Sequence, residues 1–184
     1  SVSETRQIDN INRGWQALIE DLRLKRFQIN KLVAIEYNKL VSESENRLGF
    51  GGFRNAPVAI GGTSYTPPNS LDLNSCWDEL IARCQELEDN PLEQSLLLYA
   101  EMARNQFFGD GIKRTALLMM NGNLIQNGLC PITITKSHEV EYRTALIGYY
   151  ESPEQHRIQF FDFLKQEQQT MLKRWGYESQ DLCI

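Results

Sequence analysis

The sequence predicts an all-α protein, mainly helical: a compact bundle carrying one small β-hairpin. Three observations predict it. Apolar residues recur at helical spacing along most of the 184 residues. Helix start and stop signals punctuate the chain, most clearly Asn90-Pro91, Asn127-Gly128 and Ser152-Pro153. A single stretch, Asn55 to Pro68, departs to two-residue alternation. The length and the 41% hydrophobic content fit one domain over 1–184 with a real core.

Each element follows in order. Ile8, Ile11, Trp15, Leu18, Ile19 and Leu22 form one face of a first helix, and Ile29, Leu32, Val33, Glu36 and Leu40 suggest a second. The segment NAPVAIGGTSYTPP alternates Val58 and Ile60, turns at Gly61-Gly62, and resumes with Thr63 and Tyr65, which reads as a small hairpin. A lone hairpin on a helical bundle presents an open edge, either a liability or a docking site; a simple connecting loop is the other reading. Ser70 caps a helix that aligns Leu73, Trp77, Leu80, Cys84 and Leu87. Asn90, Pro91 and Glu93 make the start of the next. A helix over roughly 113–127 stops at Asn127-Gly128, a left-handed cap. Ser137 starts a helix to about Tyr150, and Ser152-Pro153 starts the last, with Ile158, Phe161, Leu164, Met171 and Trp175 toward the core.

Composition narrows function. Net charge is −5 with both signs interspersed, which argues against a general nucleic-acid or anionic-membrane binder and leaves room for a local basic pocket. No apolar run approaches a membrane span and no signal-peptide pattern opens the chain. Cys76, Cys84, Cys130 and Cys183 form no C-x-x-C pair and read as free thiols, buried in a protein of the reducing cytoplasm. Two histidines, His138 and His156, are too few for a histidine-rich metal site and suit solvated or capping roles.

The stretch QFFGDGIKRTALLMM, residues 106–120, carries the chemistry. Gly109 and Gly111 let backbone N–H groups turn inward, and the following helix leaves its first N–H groups unpaired. Lys113 and Arg114 then sit at the positive end of the helix dipole, an unfavourable place unless an anion fills it. A phosphate would satisfy amides, dipole and cations together, with Arg114 forking onto its oxygens and Asp110 suited to a magnesium ion beside it. An exposed polar turn with both cations in solvent is the competing reading. The string is not a Walker A loop.

These residues resemble the signature of the Fic/Doc family, H-x-F-x-[DE]-G-N-[GK]-R: Phe108, Asp110, Gly111, Lys113 and Arg114 match. The resemblance spans about Ile8 to Trp175, with 1–7 and 176–184 peripheral. PVAIGGTSYTPP resembles the family's flap hairpin, and the flanking helices resemble those around the signature. The resemblance implies a Fic-type helical bundle with one β-hairpin flap. It implies kinship with enzymes that transfer AMP from ATP to hydroxyl side chains of target proteins, or in Doc-like relatives a phosphate. In that scheme a histidine is the general base, the acidic residue holds magnesium, the glycine-rich turn and arginine hold phosphates, and the flap aligns an extended target segment. Carried over residue by residue, Asp110 would bind magnesium, Gly109, Gly111, Ile112, Lys113 and Arg114 the phosphates of Mg-ATP, and Val58, Ile60, Gly61, Gly62 and Thr63 the target. Family membership also implies a homodimer or an antitoxin as partners to consider.

Three positions depart. Gln106 stands in the histidine position, and an amide takes no proton at neutral pH, a loss of roughly 10²–10⁴-fold in rate. Ile112 replaces asparagine and, being β-branched, resists a positive φ. Leu117 replaces a second arginine, as in the Doc branch. The expectation is a Fic-fold relative with an impaired site that still holds Mg-nucleotide or phosphate. Partial activity despite Gln106 is a second reading, and a non-catalytic peptide-binding regulator working through the flap a third. TRQIDN, Thr5 to Asn10, resembles the family's inhibitory pattern [ST]-x-x-x-E-[GN] with Asp9 for glutamate, but the residue is a methylene shorter and its arginine partner is Leu117, so an ordinary solvent-facing helix start is the preferred reading.

Overall fold

A computed structural model describes residues 2–43 and 51–176. Seven α-helices form among them: α1 (Val2–Arg23), α2 (Lys31–Val41), α3 (Leu73–Gln85), α4 (Pro91–Asn105), α5 (Ile112–Gln126), α6 (Glu139–Glu151) and α7 (Pro153–Arg174). Short 3-10 turns, Ser70–Asp72 and Lys136–His138, lead into α3 and α6. Helix α5 is the axis. It packs against α4 on one side and against α1 and α2 on the other, while α6 pairs with α7 and touches α4. Its residues Leu118 to Leu124 are all buried, polar ones included. The polar ones are satisfied: Asn121 exchanges two hydrogen bonds with the backbone of Ile132, at 2.8 and 2.7 Å. Gly122 admits Phe27 so closely that a Cβ would lie 2.2 Å from the ring.

Boundaries follow local chemistry. The Asn90 side chain accepts the Glu93 N–H at 3.2 Å, and Pro91 occupies the first position of α4. Gly128, at φ +72°, takes the left-handed conformation after α5. Ser70 caps no helix: it opens the 3-10 turn that leads into α3, and that turn is capped by Asn69, whose side chain accepts from Leu71 N.

Two helix faces differ from the apolar pattern. In α2 the buried residues are Ala34, Tyr37, Asn38 and Val41, and Leu32 is 74% exposed. The helix is turned because its inner face must meet the polar end of α5. In α1, Ile8 and Ile19 are exposed, and the contact line runs through Gly14 and Leu18. A Cβ at Gly14 would lie 2.7 Å from Val41, so close approach sets the face there rather than hydrophobicity. In α7, Phe161, Leu164 and Met171 are buried, but Ile158 and Trp175 are exposed.

The expected hairpin does not form. Among the described residues there is no β-strand; residues 55–68 run extended, turn at Gly61-Gly62, and make no backbone ladder. The alternation itself is real: Ala56, Val58, Ile60, Thr63 and Tyr65 are half-buried between exposed neighbours. Pro57, Pro67 and Pro68 lack the N–H that a ladder needs, and an isolated two-stranded ribbon is marginal in water. Side chains hold the segment instead. Arg104 lies 4.3 Å over the Tyr65 ring, and Thr63 Oγ1 donates to Glu151 at 2.7 Å.

The main fastener is Arg54, only 2% exposed. Its guanidinium donates to the carbonyls of Gln106 (2.6 Å), Ala56 (3.0 Å), Pro68 (2.5 Å) and Asn105 (3.5 Å). Its own N–H donates to Phe107 O at 2.8 Å. One cation thus ties the C-terminal end of α4 to both ends of the extended segment. A second buried polar group, Glu167, accepts from Thr135 N and pairs with His138, so His138 has a specific partner and is not simply solvated. Cys84 and Cys130 are buried and Cys76 is half-buried, with no disulfide among the described residues, and Cys183 lies outside them. Burial pushes the Cys84 thiol up to about 12.

Replacing Arg54 by Met is expected to cost about 3 kcal/mol in urea unfolding, because several carbonyls lose their donor in a dry site. Burial pushes the Glu167 carboxyl up, but the Thr135 N–H and His138 outweigh it and hold the group below its ordinary value. Its stabilisation is therefore present above about pH 4.3, the unfolded value, and is lost as pH falls through the folded one. Glu167→Gln is expected to lower the melting temperature at pH 7 and to flatten its acid decline.

Candidate functional site

Residues 106–114 bridge the end of α4 and the start of α5. Gln106 ends α4 in the left-handed region, φ +51° and ψ +55°. Apart from Lys25 it is the one non-glycine residue with positive φ among those described. Such a conformation is costly for a side-chain-bearing residue. Two bonds hold it: its carbonyl accepts from Arg54, and its side-chain amide donates to Ala103 O at 2.6 Å. Phe107 and Phe108 then dive into the core, Phe107 tilted against Phe53 and edge-on to Trp77, and Phe108 edge-on to Phe53. These anchors leave the polar residues of the loop at the surface.

Gly111 is the N-cap of α5 at φ +67°, and no side chain caps the helix. A Cβ there would lie 3.0 Å from Ser42 Cβ, 3.2 Å from Asn38 Nδ2 and 3.2 Å from Val41 Cγ2. The end of α2 is thus pressed against the glycine turn. Asn38 donates to Asp110 O at 2.8 Å and to Thr115 Oγ1 at 3.0 Å. Thr115 Oγ1 in turn donates to Gly111 O at 2.9 Å. Ile112 begins the helix after the glycine, with helical backbone; the positive φ that a β-branched residue would resist falls on Gly111 instead.

The two cations have different surroundings. Arg114 Nη1 donates to Val41 O at 2.7 Å, and Nη2 lies 3.3 Å from Asp110 Oδ1. It links the negative end of α2 to the positive end of α5, which explains a basic residue in a first helical turn. Lys113 is exposed and makes no ion pair among the described residues. Asp110 receives the Gly111 N–H on the oxygen that faces Arg114, and its side chain is 43% exposed. Leu117 is half-buried and packs on the core.

Two clefts meet here. A shallow one of about 220 Å³ is bordered by Gln106 and residues 110–114. A deeper one of about 470 Å³ lies between the extended segment (Ala59, Ile60, Gly61) and α6. Gln106 and Lys113 border both, so the two are neighbours across these side chains. Of the flap residues read from sequence, Ile60 and Gly61 line the deeper cleft, whereas Val58, Gly62 and Thr63 do not; Gly62 sits against Arg143 and Thr63 is bonded to Glu151. Gly109 borders neither cleft. Asp9 is exposed beside a separate cleft with Arg6, Asn10, Arg13 and Glu43, which Arg114 does not border.

Sequence reasoning missed Arg54, Asn38 and the polar residues of α6. Asn38 was findable, since Ala34, Tyr37, Asn38 and Val41 keep helical spacing once a buried amide is admitted. A glutamate followed by asparagine also occurs at Glu45-Asn46, with Val41 where the inhibitory pattern has Ser or Thr. It follows the end of α2 that lies on the glycine turn, though Glu45 and Asn46 are outside the described residues.

Comparisons with known proteins agree with this architecture. Residues 8–124 match the model of the Fic/DOC family. Protein adenylyltransferase Fic of Aedes aegypti is 24% identical over 77% of this chain and 29% of its own length. The protein of the same name from Culex quinquefasciatus is 25% identical with the same coverage. The chain therefore spans under a third of these curated relatives. A Fic domain containing signaling protein from Bacteroides thetaiotaomicron superposes with TM-score 0.78 at 18% identity, over 94% of this chain and 71% of that one. Fic-1 from C. elegans gives 0.76 at 15%, over 96% and 52%. The match over residues 8–124 covers well over half of the chain, which belongs to the Fic/DOC family.

Gly111→Ala is expected to destabilise the protein by about 1–2 kcal/mol, from positive φ and contact with Ser42. Gly61→Ala, with nothing within 4 Å of its Cβ position, should change the melting temperature little.

Proposed function

We propose that this member of the Fic/DOC family binds a magnesium nucleotide at the glycine turn and transfers its nucleotidyl group to a protein hydroxyl poorly or not at all. The observation that carries the reading is Gln106: its amide is turned back onto Ala103 O, at the position of the family's base. An amide accepts no proton at neutral pH, and this one is already engaged as a donor.

The residues present suit the nucleotide. The uncapped start of α5 offers N–H groups to phosphate oxygens, and a Cβ-free Gly111 keeps the turn tight. Lys113, unpaired among the described residues, supplies a point charge. Asp110 is a single, partly exposed carboxylate, the donor set expected for Mg²⁺ completed by phosphate and water. The deeper cleft beside Lys113 has room for a nucleoside. Bound Mg-ATP would supply an activated phosphorus. The chain's own part is to bind and orient it, and Gln106 adds no proton transfer. The acceptor is an extended, hydroxyl-bearing segment of another protein.

A second reading, a non-catalytic peptide binder, is favoured by the extended segment. Its backbone groups make no ladder: Arg54 takes the carbonyls of Ala56 and Pro68 and Thr63 the N–H of Tyr65, and the stretch between is open to a strand added along it.

Incubation with labelled ATP, magnesium and lysate is expected to give little or no labelling by the native chain. The double variant Gln106→His, Ile112→Asn should raise labelling by roughly 10²-fold or more. Strong labelling by the native chain would refute the impairment. No melting shift with millimolar Mg-ATP or Mg-GTP would leave peptide binding as the better account.

A further inference from the structure

The deeper cleft has a chemical character that bears on which nucleotide it takes, an inference that rests on the nucleotide-binding reading above. Its floor is apolar: Ile60, Tyr142, Leu146 and Ile147. Two charged side chains on α6, Glu139 and Arg143, also line it. They are four residues apart in the order that favours a helical ion pair. Yet they make none, and neither has a hydrogen bond to any described residue. Arg143 reaches instead to the turn of the extended segment, where its Nη2 lies 3.3 Å from the Cβ position of Gly62. The cleft therefore has a carboxylate near the start of α6 and a separate guanidinium below the flap turn. Both have unused hydrogen-bonding capacity.

A flat base lying on the apolar floor would present its edges to these two groups. A carboxylate accepts two hydrogen bonds side by side, and a guanidinium donates two side by side. Guanine alone among the common bases has adjacent donors, N1–H and N2–H₂, on one edge and adjacent acceptors, O6 and N7, on another. Adenine offers the carboxylate one amino group and leaves the guanidinium a single acceptor at a time. We infer that the cleft between the flap and α6 selects a guanine nucleotide, with Glu139 reading N1 and N2 and Arg143 reading O6 and N7.

The test is a melting and calorimetric titration of the purified chain with Mg-GTP, Mg-ITP and Mg-ATP. Mg-GTP is expected to bind about ten-fold or more tighter than Mg-ATP, with Mg-ITP, which lacks the 2-amino group, between them. Glu139→Gln, an exposed substitution, should leave the unliganded melting temperature unchanged, weaken Mg-GTP about ten-fold and leave Mg-ATP unaffected. Equal or tighter binding of Mg-ATP by the native chain would overturn the inference while leaving the nucleotide-binding reading intact. Unaltered Mg-GTP affinity in Glu139→Gln would also overturn the assignment. No binding of any of the three would overturn the inference and nucleotide binding together.

Discussion

A single buried guanidinium sets the geometry on which the site depends. Arg54 has five donors, and its acceptors are all backbone carbonyls, at the end of α4 and at both ends of the extended segment. A cation at a helix C-terminus is favoured by the dipole, and here the helix end is also where Gln106 turns left-handed. The carbonyl that would otherwise point unsatisfied into the core is bonded instead. One interaction thereby fixes the strained residue at the site mouth and the segment that roofs the deeper cleft.

Helix α5 meets α2 in a complementary way. The negative end of α2 faces the positive start of α5, and Arg114 spans the junction through Val41 O. Asn38 closes the same junction through Asp110 O and Thr115. Part of the loop's basic charge is thus structural; Arg114 borders only the shallow cleft, whereas Lys113 borders both. A family signature read only as a ligand-binding string misses this division of labour.

The helices were legible because their signals are local. Asn90-Pro91 and the Asn127-Gly128 stop act within one or two turns of chain, and the structure places them where the sequence does. The hairpin was misread because alternation reports which side chains face the core, while strand pairing requires hydrogen-bond partners that Pro57, Pro67 and Pro68 help deny. Inner faces of α1 and α2 were misjudged for a related reason: Gly14 and Asn38 are contact residues by size and hydrogen bonding, and hydrophobicity does not mark them.

The sequence by itself determined the helical content, the glycine turn before α5, and an amide side chain at Gln106, because propensity, capping and side-chain chemistry are properties of a few neighbouring residues. Tertiary structure alone decided that Arg54 is a fastener, that Arg114 answers to α2, and that Glu139 and Arg143 share a cleft with Ile60. Those partners are separated by tens of residues along the chain. Only the folded packing brings their donors, acceptors and charges within reach of one another.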